Sequence, residues 1–374
     1  MTSCNICGLG PLLTVAAYGR LARVSSDCRP VKSGGELSVC RSCGAVQKQA
    51  TPAFLAEIAQ IYDNYDVYYQ GGGAEQITLD SRDNSLKRRS DLIAELLFSM
   101  PGMKSTGAAL DVGCGNGVML AAIARRTPGW TLDGLDLDDR YRPKLEQIPG
   151  FRNLVIAGNP GASKGRYDLI TMVHALEHLI DPLQSLKELS QRLSPGGLLF
   201  IESPNLATNP FDLLIADHVS HFTPASIQRL LHRAGLEVKS IATDWINKEL
   251  SVVASRRGAN VLQIDQPPEE SNVEQAIGWI ESMEQRARQM AAKGPIIVFG
   301  TSIAATWLTA TIGADNVLSY VDEDVARHGN RHLGKPVIAP RDVPRGTPVF
   351  ICLSPGLAQS VAKRMNAAGL NCVV

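Results

Sequence analysis

Nowhere in these 374 residues is there an apolar run approaching the roughly 18–20 that a membrane-spanning helix requires. Charge of one sign is missing too. The 37 lysines and arginines balance 37 aspartates and glutamates, so bulk attraction to nucleic acid or an anionic membrane is not expected. The densest basic cluster, Lys87-Arg88-Arg89, reads as a solvated helix face. The opening Met1-Thr2-Ser3-Cys4 has neither the basic flank nor the apolar core of a secretory leader. These absences give the expectation of a soluble, cytoplasmic protein with no nucleic-acid and no membrane partner. They leave the oligomeric state open.

A disulfide scaffold is also missing, although there are eight cysteines. Four of them form two Cys-x2-Cys-Gly knuckles, Cys4/Cys7 and Cys40/Cys43. Each knuckle can offer two thiolates to one tetrahedral ion, and the following glycine lets backbone N–H groups turn towards sulfur. Zn(2+) in a closed structural site suits this pattern. A pair of redox motifs would need a strand–helix context that is absent here. Cys28, between the knuckles, reads as a spare small residue, and Cys352 and Cys372 read as core positions in late strands.

What is present in abundance is alternation of strands and helices. The stretch Leu110-Asp111-Val112-Gly113-Cys114-Gly115-Asn116-Gly117 reads as a buried strand running into a glycine-dense turn, with a helix from Val118 to about Arg126. The spacing is Gly-x-Gly-x-Gly, not the Gly-x-Gly-x-x-Gly of a dinucleotide site. Roughly twenty residues on, Thr131–Asp136 reads as a second strand ending in a carboxylate that can take both hydroxyls of a ribose. Strands over Asn153–Ala157, Leu169–Met172 and Leu198–Glu202, with a helix over Pro182–Leu193, continue the pattern. It argues a parallel sheet with helices on both faces and ligands at the strand carboxyl ends. Asp80 to about Met100 reads as an amphipathic helix leading in.

Four units follow from composition: 1–75, the cysteine module with a tyrosine-rich segment; 76–257, the central domain; 258–292, a linker and helix; and 293–374, a small Rossmann-like α/β domain. The linker holds Pro267-Pro268-Glu269-Glu270, and its helix runs from Val273 to Ala292. In the last unit only Gly300 marks the first turn, which favours packing or substrate covering over dinucleotide binding. Tyr62, Tyr65, Tyr68 and Tyr69 either pack against the next unit or form a substrate-facing lip.

The best proton acceptor lies in Ala216-Asp217-His218-Val219-Ser220-His221-Phe222-Thr223-Pro224. Histidine exchanges a proton near neutrality. The i, i+3 spacing of His218 and His221 would place both on one side of a helical turn. The bland reading is capping, with Thr223 as N-cap and Pro224 at the first helical position. A metal site at Asp217, His218 and His221 has no further ligand cluster to support it.

The glycine loop, Asp136, the His174-Ala175-Leu176-Glu177-His178 segment and Leu193-Ser194-Pro195-Gly196-Gly197 occur in that order. Over roughly residues 90–255 this series resembles the class I S-adenosylmethionine-dependent methyltransferases, which implies S-adenosyl-L-methionine as cofactor. The resemblance places Asp111, Gly113, Cys114, Gly115 and Gly117 around the cofactor's amino-acid part. Asp136 and Leu137 then hold the ribose, Asn159 stands where relatives often carry an acidic residue for the adenine, and His174 and His178 lie beside the methionine moiety. The unit order further resembles the three-domain, zinc-containing sugar C-methyltransferases. That likeness implies a nucleotide sugar or related glycan precursor as substrate, with Tyr65, Tyr68 and Tyr69 near it. It makes His218 the general base, with His221 and Asp217 standing where the family has tyrosine and glutamate. O-methylation of a glycan or small natural product, and a non-catalytic scaffold, are the competing readings.

Overall fold

In a computed structural model, residues 3–67, 72–80, 82–83, 85–258 and 272–374 are described. Tyr68, Tyr69 and the Pro267–Glu270 linker therefore lie outside the described residues.

The central sheet has seven strands. Its middle is the parallel set expected: Ala108–Val112 lies between Thr131–Asp136 and Tyr167–Val173, with Phe151–Ile156 and Leu193–Pro204 outside them. The last two strands break the expectation of an all-parallel sheet. Glu249–Arg256 runs antiparallel to Leu193–Pro204, and Leu236–Ala242 is antiparallel to that in turn, so the sheet is mixed. A near-continuous apolar run cannot reveal this, because a strand buried on both faces reads alike in either direction. The inner strands are dry: Leu110, Ile170, Phe200, Ile201 and Val253 have no exposed surface. Together they form a Rossmann-like α/β core.

The approach to this core differs from the single helix expected over Asp80–Met100. A hairpin, Ile77–Leu79 with Leu86–Arg88, precedes a helix confined to Arg89–Phe98. Turn chemistry explains it, since Asp83 accepts hydrogen bonds from Ser85 N at 2.9 Å and Ser85 Oγ at 2.6 Å. The basic cluster is split accordingly. Lys87 bridges Asp80 and Glu95 from the strand, whereas Arg89 begins the helix and is buried.

In the amino-terminal unit, Leu12–Thr14, Ser38–Cys40 and Val46–Gln47 form an antiparallel sheet whose fourth strand is Ser220–His221. His221 is thus on a strand rather than one helical turn from His218. Just beyond it the capping reading holds: Thr223 Oγ1 accepts from Ser226 N at 3.2 Å, and the helix Pro224–Arg233 starts there.

After the helix Val273–Ala291 comes a six-stranded sheet. Five of its strands are parallel, in the order Lys335–Ile338, Val317–Val321, Ile296–Phe299, Pro348–Ile351, Asn371–Val373. Cys352 is buried just past one of these strands, while Cys372 is half-buried. Tyr18, Leu21 and Val24 share one apolar cluster with Phe211, Leu214, Ile280 and Trp307, so amino-terminal, central and carboxy-terminal segments close a common core.

Candidate functional site

Where these segments meet, a cleft of about 800 Å³ opens at the carboxyl ends of the central strands. One wall is the glycine loop. Gly113 and Gly117 have φ of +73° and +81°, and a Cβ on Gly117 would come within 2.5 Å of Leu145. At the tip, Gly115 N donates to Asp136 Oδ2 at 2.7 Å, and Leu137 N donates to Asp136 Oδ1 at 2.7 Å. Each carboxylate oxygen keeps a further lone pair, and Asp136 lines the cleft. Burial pushes the Asp136 carboxyl up, against the two backbone N–H groups that pull it down.

Asp111 lines the same wall. It accepts a hydrogen bond from Thr171 Oγ1 at 2.6 Å, and burial raises its carboxyl to about 7. Cys114 is buried, packed so closely on Gly134 that a Cβ there would lie 2.7 Å from its sulfur. Leu137, 53% exposed, and Asn159, which accepts from Gly161 N, stand along the cleft.

The floor is a dense cluster of buried ionisable groups. Arg89 Nη1 donates to His174 Nε2 at 2.9 Å, so the ring proton sits on Nδ1, 3.1 Å from Glu177 Oε1. Burial, with Arg89 nearby, takes His174 down to about 3. Burial likewise raises Glu202 to about 8, with the Arg89 guanidinium 3.5 Å away opposing it. His178 Nδ1 donates to the Asp217 carbonyl at 3.2 Å, with the Tyr62 hydroxyl 3.1 Å distant. Tyr65 also lines the cleft, edge-on to Tyr62 at 5.8 Å.

The carboxylate that meets His218 is Asp212 and not its neighbour Asp217. His218 Nδ1 lies 2.7 Å from Asp212 Oδ1, and His221 Nδ1 lies 2.7 Å from Asp212 Oδ2. Asp217 instead accepts from Ser26 N at 2.9 Å and Ser26 Oγ at 2.6 Å, and it faces His178 at 3.4 Å. His218 lines the cleft; His221 does not. Asp212 sits on the short turn Pro210–Leu214, whose Phe211 is clamped edge-on by Trp279 at 5.3 Å and tilted against Trp307 at 5.8 Å. No motif marks Asp212: its partners lie only six and nine residues on, but nothing in that spacing says that they turn back to it and not to the adjacent Asp217. Arg89 and Glu249 are marked by none either, because their partners are far along the chain: His174 and Glu202 for Arg89, and His174, 3.8 Å away, for Glu249.

Away from the cleft, the four knuckle sulfurs lie within 4.8 Å of one another. Cys4 and Cys43 are 3.8 Å apart and Cys7 and Cys40 3.6 Å, near the edge of about 3.8 Å of a tetrahedron with Zn–S bonds of about 2.3 Å. Ile6 N and Leu9 N turn towards Cys4 and Cys7 sulfur at 3.4 Å, and Gly8 and Gly44 have φ of +75° and +76°. The donor set fits zinc. Asp212, His218 and His221 also cluster closely enough to hold an ion, although both of their contacts are already hydrogen bonds.

Residues 85–241 match the family model described as a methyltransferase domain. The chain is 30% identical over 148 residues to the ubiquinone biosynthesis O-methyltransferase of Leptothrix cholodnii, covering 37% of this chain and 60% of that one. It is 28% identical over 154 residues to the same enzyme of Aeromonas salmonicida, covering 36% and 64%. The chain thus spans less than two thirds of these relatives' own length. Among solved structures, it is similar to an S-adenosylmethionine-dependent methyltransferase from Clostridium acetobutylicum, with a TM-score of 0.39 and 14% identity over 55% of this chain and 99% of that one. Among the described residues, no helix is long and apolar enough to cross a membrane.

Proposed function

We propose that this chain is an S-adenosylmethionine-dependent methyltransferase acting on a nucleotide-linked keto sugar, with His218 as the general base. One observation carries the reading: the Asp136-held glycine loop and His218 face a single cleft of about 800 Å³. Bound there, S-adenosylmethionine supplies an electrophilic methyl on a sulfonium. Asp136 would take the ribose hydroxyls and the glycine loop would admit the cofactor's backbone closely. Arg89, on the floor beside them, would supply positive charge to the methionine carboxylate. His218 Nε2 would first take the proton alpha to the ketone and pass it to solvent; the enolate carbon would then attack the methyl, its electron pair forming the new bond as S-adenosylhomocysteine leaves. Tyr65 would face the sugar, with Tyr68 and Tyr69 following in sequence. The four thiolates would hold structural zinc, outside the reaction.

O-methylation is the second reading, favoured by the O-methyltransferase relatives. In that case His218 deprotonates a hydroxyl. A turnover screen with deuteromethyl-labelled cofactor against nucleotide-linked keto and hydroxy sugars and phenols separates the two. Label on carbon, with prior alpha-proton exchange in heavy water, supports the first reading; label on oxygen replaces it with the second. Absence of cofactor binding by calorimetry would refute both.

A further inference from the structure

Asp212 is 1% exposed, does not line the cleft, and spends each carboxylate oxygen on a different histidine. We infer that Asp212 is the positioning residue of the site, a carboxylate that fixes the ring proton of His218 on Nδ1 and so presents Nε2 to the cleft as the acceptor. This deepens the reading of His218 as base and rests on it.

The argument is one of donors and acceptors. A buried carboxylate that accepts from two imidazoles requires both to carry hydrogen on Nδ1. The free lone pair of each neutral ring is then on Nε2. For His221 that atom is buried without a partner, so it has no route to a substrate. For His218, Nε2 has no hydrogen-bond partner among the described residues, and the ring lines the cleft. The carboxylate thus sets the same tautomer on both rings, and their placement, one at the cleft and one buried, leaves His218 alone as a base.

Charge points the same way. Burial works against protonation of both rings. At His218 the hydrogen bond and charge of Asp212, with Glu177 and Asp217, outweigh burial and the net shift is upward. At His221 burial, aided by Lys48 and His218, wins and the shift is downward. Asp212 itself is held well below the usual carboxylate range: the two histidines overcome its burial. A single anion therefore stabilises a single imidazolium, the one that proton abstraction would create. His178, edge-on to His218 at 4.6 Å, and His174 are the other titratable neighbours, and both are shifted downward by burial.

The carboxylate is placed by all three parts of the chain. Phe211, beside it, is clamped by Trp279 and Trp307. Lys48 Nζ donates to the carbonyls of Ile215 and Ala216, and Ser220–His221 pairs with Val46–Gln47. The segment between the turn and the strand is therefore pinned at both ends, which a dyad needs if its geometry is to survive substrate exchange.

The test is histidine-selective ¹⁵N NMR on the full-length protein, with His218 and His221 assigned through His218→Asn and His221→Asn. In the wild type, both rings are expected in the Nδ1–H form when neutral, with His218 titrating above the ordinary imidazole range. Asp212→Asn removes the charge and keeps the shape. It should lower the His218 pKa by about one pH unit or more and mix its tautomers. Once an acceptor is identified, Asp212→Asn should cut kcat at least about 100-fold with KM and cofactor affinity little changed. The double variant with His218→Ala should be no slower than His218→Ala alone. An Nε2–H tautomer on His218 in the wild type overturns the inference even if Asp212→Asn does not fold. So does an unchanged titration in a folded Asp212→Asn protein, or a turnover loss that adds to that of His218→Ala. Failure of the methyltransferase reading would appear separately, as no cofactor binding, and would leave the tautomer result intact.

Discussion

Asp136 takes one backbone N–H on each carboxylate oxygen, so it both shapes the glycine loop and offers acceptors to a ligand inside it. Asp136→Ala should weaken S-adenosylmethionine binding by at least about 10-fold, since each charge-assisted hydrogen bond to a ribose hydroxyl contributes about 1.5–3 kcal/mol. Calorimetry checks it, and wild-type affinity in a folded variant would remove the ribose role. The second residue-scale expectation concerns pH. A base works unprotonated, and His218 is shifted upward, so the acid limb of kcat should lie above the ordinary imidazole value of about 6.5. The linked stability has the opposite sense. A histidine raised by folding stabilises fully below its unfolded pKa, and that contribution fades as pH rises through the folded one. His218→Ala should leave only a small residual turnover without that limb, while cofactor affinity persists. Asp111, Gly113, Gly117 and His218 were legible at this scale because each carries its own signal: a strand end, a glycine spacing, a histidine in a polar cluster. Asp212 and Arg89 carry none, since a lone acid or base acquires a role only from what folds against it.

Between residues 212 and 233 the chain passes from a clamped turn, through a two-residue strand, into a capped helix. Its exit is locally encoded. Thr223 and Ser226 exchange a reciprocal capping box, with Pro224 at the first helical position. Thr223→Ala should cost about 1 kcal/mol of stability, read from denaturant unfolding. It should also loosen the neighbouring His221 strand, seen as faster amide exchange at Ser220 and His221. The strand itself was not legible. Two residues have no periodicity, and Ser220–His221 is extended only because Val46–Gln47 supplies the other edge. The misjudged helix over Asp80–Met100 has the reverse cause, a side-chain turn at Asp83 that interrupts an otherwise amphipathic pattern.

At the scale of the whole molecule, the cysteine module is not an appendage. Cys4, Ile6, Cys40, Cys43 and Ala45 share an apolar cluster with Phe222, Ile227, Leu230 and Leu231, and the module's sheet ends on the strand that carries His221. Loss of the zinc proposed for this module is expected to reach the cleft by this route. Cys4→Ser should release about one equivalent of zinc, lower the melting temperature, and reduce turnover although no sulfur faces the cleft. Metal analysis, calorimetric melting and activity on one preparation check it. Full turnover in a metal-free, folded variant would confine the ion to local structure. Burial of Trp307 and Phe211 against Tyr18, Leu21 and Val24 works likewise, tying the carboxy-terminal sheet to the turn that holds Asp212.

The sequence by itself determined the parts that depend on neighbours in the chain: the α/β alternation, the glycine loop and its acidic strand partner, the paired knuckles, and the cap at Thr223. These are short-range facts, written in backbone preference and in spacing. Only the tertiary structure decided the antiparallel return of Glu249–Arg256, the burial of Arg89 under His174, and the choice of Asp212 over Asp217 as the partner of His218. Hydrogen-bond partnership between side chains is set by which elements pack together, and packing here joins residues from opposite ends of the chain around one cleft.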